Sequence, residues 1–199
     1  MPTAGRVLAV ALSAILSACT PRAHVVRDYG PAPSFTLPDA SGGTFSLAQQ
    51  ERRGNVVVLT FVAANCTEEC PELEAVLKRA AERWSARGQL GTRVTIATVE
   101  LDPATNSMAS VAKLRAKTWP RAGWAFLRGT PEETKSVLRD YNITVLPPKP
   151  GHDDVVHSVE VYVINPQGRE SEVLAPGVNL TLANLERAVS LAHNPGGKT

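Results

Sequence analysis

Little in this chain of 199 residues would draw it to a polyanion: the formal net charge is +2, and lysine and arginine nowhere cluster. That excludes nucleic acid as a partner and leaves no electrostatic reason to meet an anionic membrane surface. Long hydrophobic runs are missing too. The apolar stretch near the N-terminus, Val7 to Ile15, is too short to cross a bilayer as a mature helix. No internal repeat or low-complexity block interrupts the chain, in keeping with one domain. Cysteine is scarce at three and histidine at four, so thiol or imidazole chemistry must rest on a few named side chains. What is present is a 43% share of hydrophobic residues, enough to bury a core in one compact domain plus short extras.

The extras begin at the N-terminus. Residues 1–18 combine the positive charge of Arg6, the apolar middle Val7 to Ile15 and a small-residue end, the make-up of a secretory signal peptide. The segment closes on Leu16-Ser17-Ala18-Cys19, which resembles a bacterial lipobox, where the cysteine is lipidated and becomes the new N-terminus. Cys19 is thus the expected lipidation site. Residues 19–33, polar and proline-containing, read as a flexible tether. The expectation is an exported protein, lipid-anchored to a bacterial membrane, whose domain faces the periplasm or another extracytoplasmic space. Thiols there oxidise unless kept reduced. Processing claims Cys19, and the odd cysteine count resolves into one pair, Cys66 and Cys70.

The domain is expected over residues 34–193. FTLPDASGGTFSL (35–47) predicts two short strands around the Ser41-Gly42-Gly43 turn. A polar link, Ala48 to Gly54, leads to Val56 to Val62, apolar on both faces as a central covered strand should be. A helix then starts near Glu68 to Pro71, carries Leu73, Val76, Leu77, Ala80, Ala81 and Trp84, and stops at Gly88. Arg93 to Leu101 is a second buried strand. Asn106 or Ser107 caps a helix with Val111, Leu114 and Trp119, and Gly123 to Leu127 is a short strand. Thr130, Pro131 and Glu133 predict a capping box for a helix burying Val137, Leu138 and Tyr141. A proline-rich loop, Leu146 to Asp154, opens into the strand Val155 to Ile164. Asn165 to Gly168 turns it into an edge strand, Arg169 to Leu174. A helix from about Leu180 to Ala192 precedes a disordered tail, residues 194–199. The pattern predicts an α/β fold: a central mixed sheet flanked by helices, with an N-terminal β-hairpin extension and a late β-hairpin.

The chemistry gathers at GNVVVLTFVAANCTEECPEL (54–73), where a buried strand delivers a thiol pair to the start of a helix. Cys66 and Cys70 are i and i+4, so both sulfurs share a face if the helix reaches back far enough. Exposed N–H groups at a helix start stabilise thiolate, while Glu68 and Glu69 oppose it. The spacing suits a disulfide and also leaves room for a metal. Among the histidines, His24 lies in the tether, His193 at the frayed C-terminus and His152 in the proline-rich loop beside Asp153 and Asp154. His157 stands where that loop becomes an apolar strand, and there an imidazole needs a partner. Two thiolates and an imidazole make a soft, low-coordination set suited to copper. Structural zinc would want a fourth ligand, and none is evident; Met108 sits in a helical pattern that gives it another role.

FTLPDASGGTFSL, RGNVVVLTFVAANCTEECP, LDP, GTPEE and VVHSVEVYVINPQG occur in the order and spacing of the Sco/SenC family, and from about Ala32 to Leu191 the chain resembles those copper-binding, thioredoxin-fold proteins. The most specific parts are C-x-x-x-C-P at Cys66 to Pro71 and His157-Ser158 entering the late hairpin. The resemblance implies that Cys66, Cys70 and His157 bind one copper ion, as Cu(I) or Cu(II), for delivery to the binuclear copper centre of a respiratory cytochrome oxidase subunit. Another periplasmic copper carrier or a thiol reductant would be a further partner. The chain departs from the family pattern at Thr67, where proline is common, and at Val156, where an aspartate often precedes the histidine. Ala104-Thr105-Asn106-Ser107 replaces the usual Asp-Thr-Pro after Asp102-Pro103. None of these changes removes a ligand; the lost aspartate bears on groups around the ligands or on docking.

A copper carrier is a binding protein and not an enzyme. The alternative is an exported thiol–disulfide oxidoreductase, with Cys66 and Cys70 as catalytic residues, that keeps the cysteines of a copper acceptor reduced. The two roles are compatible, because thiolate ligation requires both cysteines reduced. PSFTLPD also resembles a peroxiredoxin opening. Ala63, however, stands three residues before Cys66, where a peroxidatic site usually carries threonine.

Overall fold

Residues stiffened by β-branching favour extended backbone, and the two richest runs of them, Val56–Val62 and Val94–Glu100, form the two central strands. The computed structural model describes residues 28–64, 70–146 and 155–194, without the side chain of Cys70. The elements of the first half are β1 (Gly30–Pro31), β2 (Thr36–Pro38), β3 (Thr44–Ser46), α1 (Leu47–Arg52), β4 (Val56–Val62), α2 (Cys70–Ala86) and β5 (Val94–Glu100). Those of the second are α3 (Met108–Thr118), β6 (Trp124–Leu127), α4 (Pro131–Asp140), β7 (Val145–Leu146), β8 (Val156–His157), β9 (Val161–Ile164), β10 (Arg169–Leu174) and α5 (Leu182–His193).

Six strands make one sheet in the order β1-β10-β9-β4-β5-β6. β4, β5 and β6 run parallel, whereas β9 is antiparallel to β4 and β10 antiparallel to β9. Every residue of β4 and β5 is buried, as expected of strands covered on both faces. The period of two sorts them. Val56, Val58 and Val62 face a core completed by Leu73, Leu77 and Trp84 of α2 and by Leu185 and Val189 of α5. Val57, Leu59 and Phe61 face the other, with Leu47, Tyr141 and the hairpin residues Phe35, Leu37 and Phe45. The two short strands expected around Ser41 to Gly43 are β2 and β3, antiparallel with Leu37 opposite Phe45.

The helix starts follow their local chemistry. Thr130 accepts from Glu133 N–H at 3.2 Å, and the Glu133 carboxylate accepts from Thr130 N–H at 2.8 Å, a complete capping box. Ser107, one of the two candidates, caps α3 by accepting from Ser110 N–H at 3.2 Å. Asn106 turns inward.

Three expectations are corrected. The link Ala48 to Gly54 is largely helix α1, because Leu47 and Gln50 bury one face and the Gln50 side chain accepts from Asn55 Nδ2 at 2.9 Å. The strand Val155 to Ile164 is two strands: β8 pairs with β7, β9 pairs with β4, and the chain changes partner between them. Arg169 to Leu174 is not the sheet edge, since Gly30 and Pro31 pair with its outer side, opposite Glu170 and Arg169. Those two residues fall in the stretch read as tether.

Candidate metal centre

Strand register decides what can meet at the cysteines. β4 runs in parallel with β5 up to Val62 opposite Glu100, so the chain after β4 and the chain after β5 leave the sheet at the same end. β9 lies antiparallel on the other side of β4, with Val161 opposite Thr60. The residues before Val161 therefore emerge at that end as well, and the Thr60 hydroxyl fastens them by donating to the Glu160 carbonyl at 3.1 Å. Three connections thus meet one sheet end: the chain leaving β4 at Ala64, the Asp102-Pro103 turn after β5 and the residues from His157 that lead into β9. Ligands of open α/β sheets gather at the carboxyl ends of the strands.

His157 is half-buried on β8, opposite Val145. Its Nδ1 lies 2.8 Å from the Ser158 carbonyl oxygen. A carbonyl can only accept, so Nδ1 carries the proton, and in the neutral ring Nε2 then holds the lone pair that a metal-binding imidazole needs. Ser158 holds the hairpin in turn: its N–H donates to the Thr144 carbonyl at 3.1 Å, and its hydroxyl accepts from Thr144 N–H at 3.3 Å.

Cys70 is the first residue of α2, as the expected start between Glu68 and Pro71 requires, which puts its backbone at the positive end of that helix. Its side chain, together with Cys66, Cys19, His24 and His152, lies outside the described residues. Among the described residues no three His, Cys, Asp or Glu side chains gather as a metal-binding group. His193 is not frayed. It ends α5, half-buried, and interacts with the backbone of Arg93, at the opposite end of β5 from the cysteines. Desolvation, then the Arg93 charge, hold its pKa below the ordinary value. Met108 begins α3, half-buried.

Glu100, not among the residues that the sequence pattern singles out, belongs to this end of the molecule. It is buried, yet its carboxylate accepts from Ala64 N–H at 2.8 Å, Asp102 N–H at 2.8 Å and Asn106 Nδ2 at 3.1 Å. The available signal was an acid closing an otherwise uncharged, β-branched strand, VTIATVE.

The fold and the converging sheet end define the thioredoxin-like class of α/β protein. Residues 28–185 match the model of the SCO1/SenC family, and the chain belongs to that family. The mitochondrial SCO1 homolog 1 of Arabidopsis thaliana is 27% identical over 138 residues, which are 64% of this chain and 40% of that protein; the chain therefore matches well under half the length of this relative. The crystal structure of Arabidopsis thaliana ScoI with copper bound superposes with a TM-score of 0.65 at 21% identity, covering 81% of this chain and 97% of that one. BsSco, studied for a disulfide switch and described as a member of the Sco family of cytochrome c oxidase assembly proteins, gives a TM-score of 0.64 at 23% identity over 82% of this chain and 93% of its own.

Proposed function

We propose that this protein is a copper metallochaperone: Cys66, Cys70 and His157 hold one copper ion and pass it to the binuclear copper centre of a respiratory cytochrome oxidase. The observation that carries the reading is the His157 hairpin. It is docked at the sheet end where the cysteine loop departs, and its imidazole is held in the tautomer that frees Nε2. Two thiolates and one neutral imidazole match copper better than a hard, oxygen-seeking cation. Support for the cargo comes from the copper-bound relative, and support for the destination from the cytochrome c oxidase assembly role given for BsSco.

In this reading the ion is substrate, taken up and surrendered. Cys66 and Cys70 must both be reduced to hold it, so their oxidation state switches binding in an oxidising compartment. That requirement keeps the thiol–disulfide role as a companion activity. Lipidation at Cys19 would hold the carrier at the membrane in which an oxidase sits. Among the described residues no helix is long and apolar enough to cross a membrane.

Anaerobic titration of the reduced protein with Cu(I), read by competition with a chromophoric chelator, tests the site. One copper should bind per chain. Loss of the imidazole in His157→Ala should lower affinity by at least the roughly 10–100-fold that loss of a ligand's hydrogen-bond partner costs, while leaving dithiol–disulfide exchange unchanged. Cys66→Ser or Cys70→Ser should abolish tight binding. Equal affinity of wild type and His157→Ala would sink the three-ligand site.

A further inference from the structure

Glu100 is 2% exposed and ends a strand whose seven residues are all buried. Packing alone would place an apolar side chain there, because a carboxylate taken out of water loses hydration that only good hydrogen bonds offset. Its two oxygens bond in two directions. Oε2 accepts from Ala64 N–H, two residues before Cys66, and Oε1 accepts from Asp102 N–H and the Asn106 amide. The far side of the same turn is held by Arg128, whose Nε donates to the Asn106 carbonyl at 2.7 Å and whose Nη2 donates to the Pro103 carbonyl at 2.8 Å. The turn after β5 is thus clamped between a buried carboxylate and a guanidinium, and Glu100 extends that frame to the first residues of the cysteine loop.

We infer that Glu100 is a positioning residue for the cysteine pair. By fixing the Ala64 amide to the clamped turn, it sets where the loop leaves the sheet and hence how Cys66 meets Cys70 and His157. A loop held at its root loses less freedom when the thiols close on an ion or on each other. Stability of the fold gives a weaker account of this residue, since desolvation raises its carboxyl pKa above the ordinary value against the opposing hydrogen bonds from Asp102, Ala64 and Asn106. The inference rests on the copper reading for its metal measurement and stands apart from it for its thiol measurement.

The test compares the full chain with Glu100→Gln, which keeps the shape but turns an NH2 toward one of the N–H partners, and with Glu100→Asp, which keeps the charge but withdraws it. Three quantities are read: hydrogen exchange at the Ala64 amide, Cu(I) affinity by chelator competition, and the Cys66–Cys70 disulfide equilibrium against dithiothreitol. The expected result is a folded Gln variant with a faster-exchanging Ala64 amide, Cu(I) affinity lowered about tenfold, and a disulfide equilibrium constant moved by more than about twofold. The Asp variant should fall between Gln and wild type. An Ala64 amide protected as in wild type would overturn the inference, as would unchanged affinity and unchanged disulfide equilibrium in a variant whose Ala64 amide is freed. Unfolding of both variants would assign Glu100 to the fold and overturn it equally. Should wild type bind no copper, the chaperone reading fails, and the disulfide constant alone decides the role of Glu100.

Discussion

The carbonyl of Ser158 and the amide of Ala64 show how single hydrogen bonds prepare one sheet end for chemistry. The first fixes the proton of His157 on Nδ1; the second ties the cysteine loop to Glu100. The two bonds differ in what they cost. The first joins a half-buried imidazole to a carbonyl, whereas the buried carboxylate carries a desolvation penalty that raises its pKa above the ordinary 4.5. The sign follows from linkage. A carboxyl whose folded pKa is raised lends its full stability below the unfolded value and loses it as pH rises through the folded one. Relative to Glu100→Gln, which does not titrate, wild type should therefore lose stability as pH rises from below the ordinary 4.5 through the raised folded value. Paired urea denaturations across that range measure the difference. A difference that is flat or grows with pH would mean that the three N–H donors outweigh desolvation and that the anion is the form the fold prefers.

At the level of elements, the local signals that proved readable were those completed within a few residues. The α4 start is one: Thr130, Pro131 and Glu133 lie within one turn and satisfy one another. Thr130→Ala should cost about 1 kcal/mol, seen as a lowered urea midpoint with an unchanged slope, while Cu(I) affinity stays put. The seven-residue strands were readable for a similar reason, since β-branched runs buried on both faces need no distant information. The split of Val155 to Ile164 was not readable. VVHSVEVYVI is uniformly strand-like, and the break at Ser158 to Glu160 arises because His157 pairs with Val145 while Val161 pairs with Thr60. Helix α1 escaped because its buried face is only Leu47 and Gln50, too short for a period. His157 could be singled out as a lone imidazole in apolar surroundings. Glu100 could not be placed without knowing that β4 and β5 are parallel neighbours, which brings its carboxylate to Ala64 across the sheet.

At the scale of the whole molecule, the question is where the domain ends and the chain toward Cys19 begins. Composition drew that line at Pro33, but the sheet takes up residues before it. Asp28 pairs with Arg169 (Oδ2 to Nη2, 2.7 Å), Tyr29 N–H donates to the Glu170 carbonyl at 3.0 Å, and Ala32 N–H donates to the Gly168 carbonyl at 2.8 Å. β1 thereby covers the outer side of β10 at Arg169 and Glu170. Pro31, with no N–H to offer, sits on the new edge where a further strand would otherwise add. With Cys19 lipidated as proposed, the stretch between the lipid and Asp28 could span at most about 30 Å even at full extension. The carrier would then work close to the membrane surface. Two shortened chains test the boundary, one starting at Asp28 and one at Ser34. The chain from Asp28 should keep the thermal midpoint of the full-length protein and stay monomeric. The chain from Ser34 should melt earlier and self-associate in analytical ultracentrifugation as concentration rises, because the backbone of β10 is bared to a second copy. Identical midpoints and sedimentation for the two chains would return Asp28 to Pro33 to the tether.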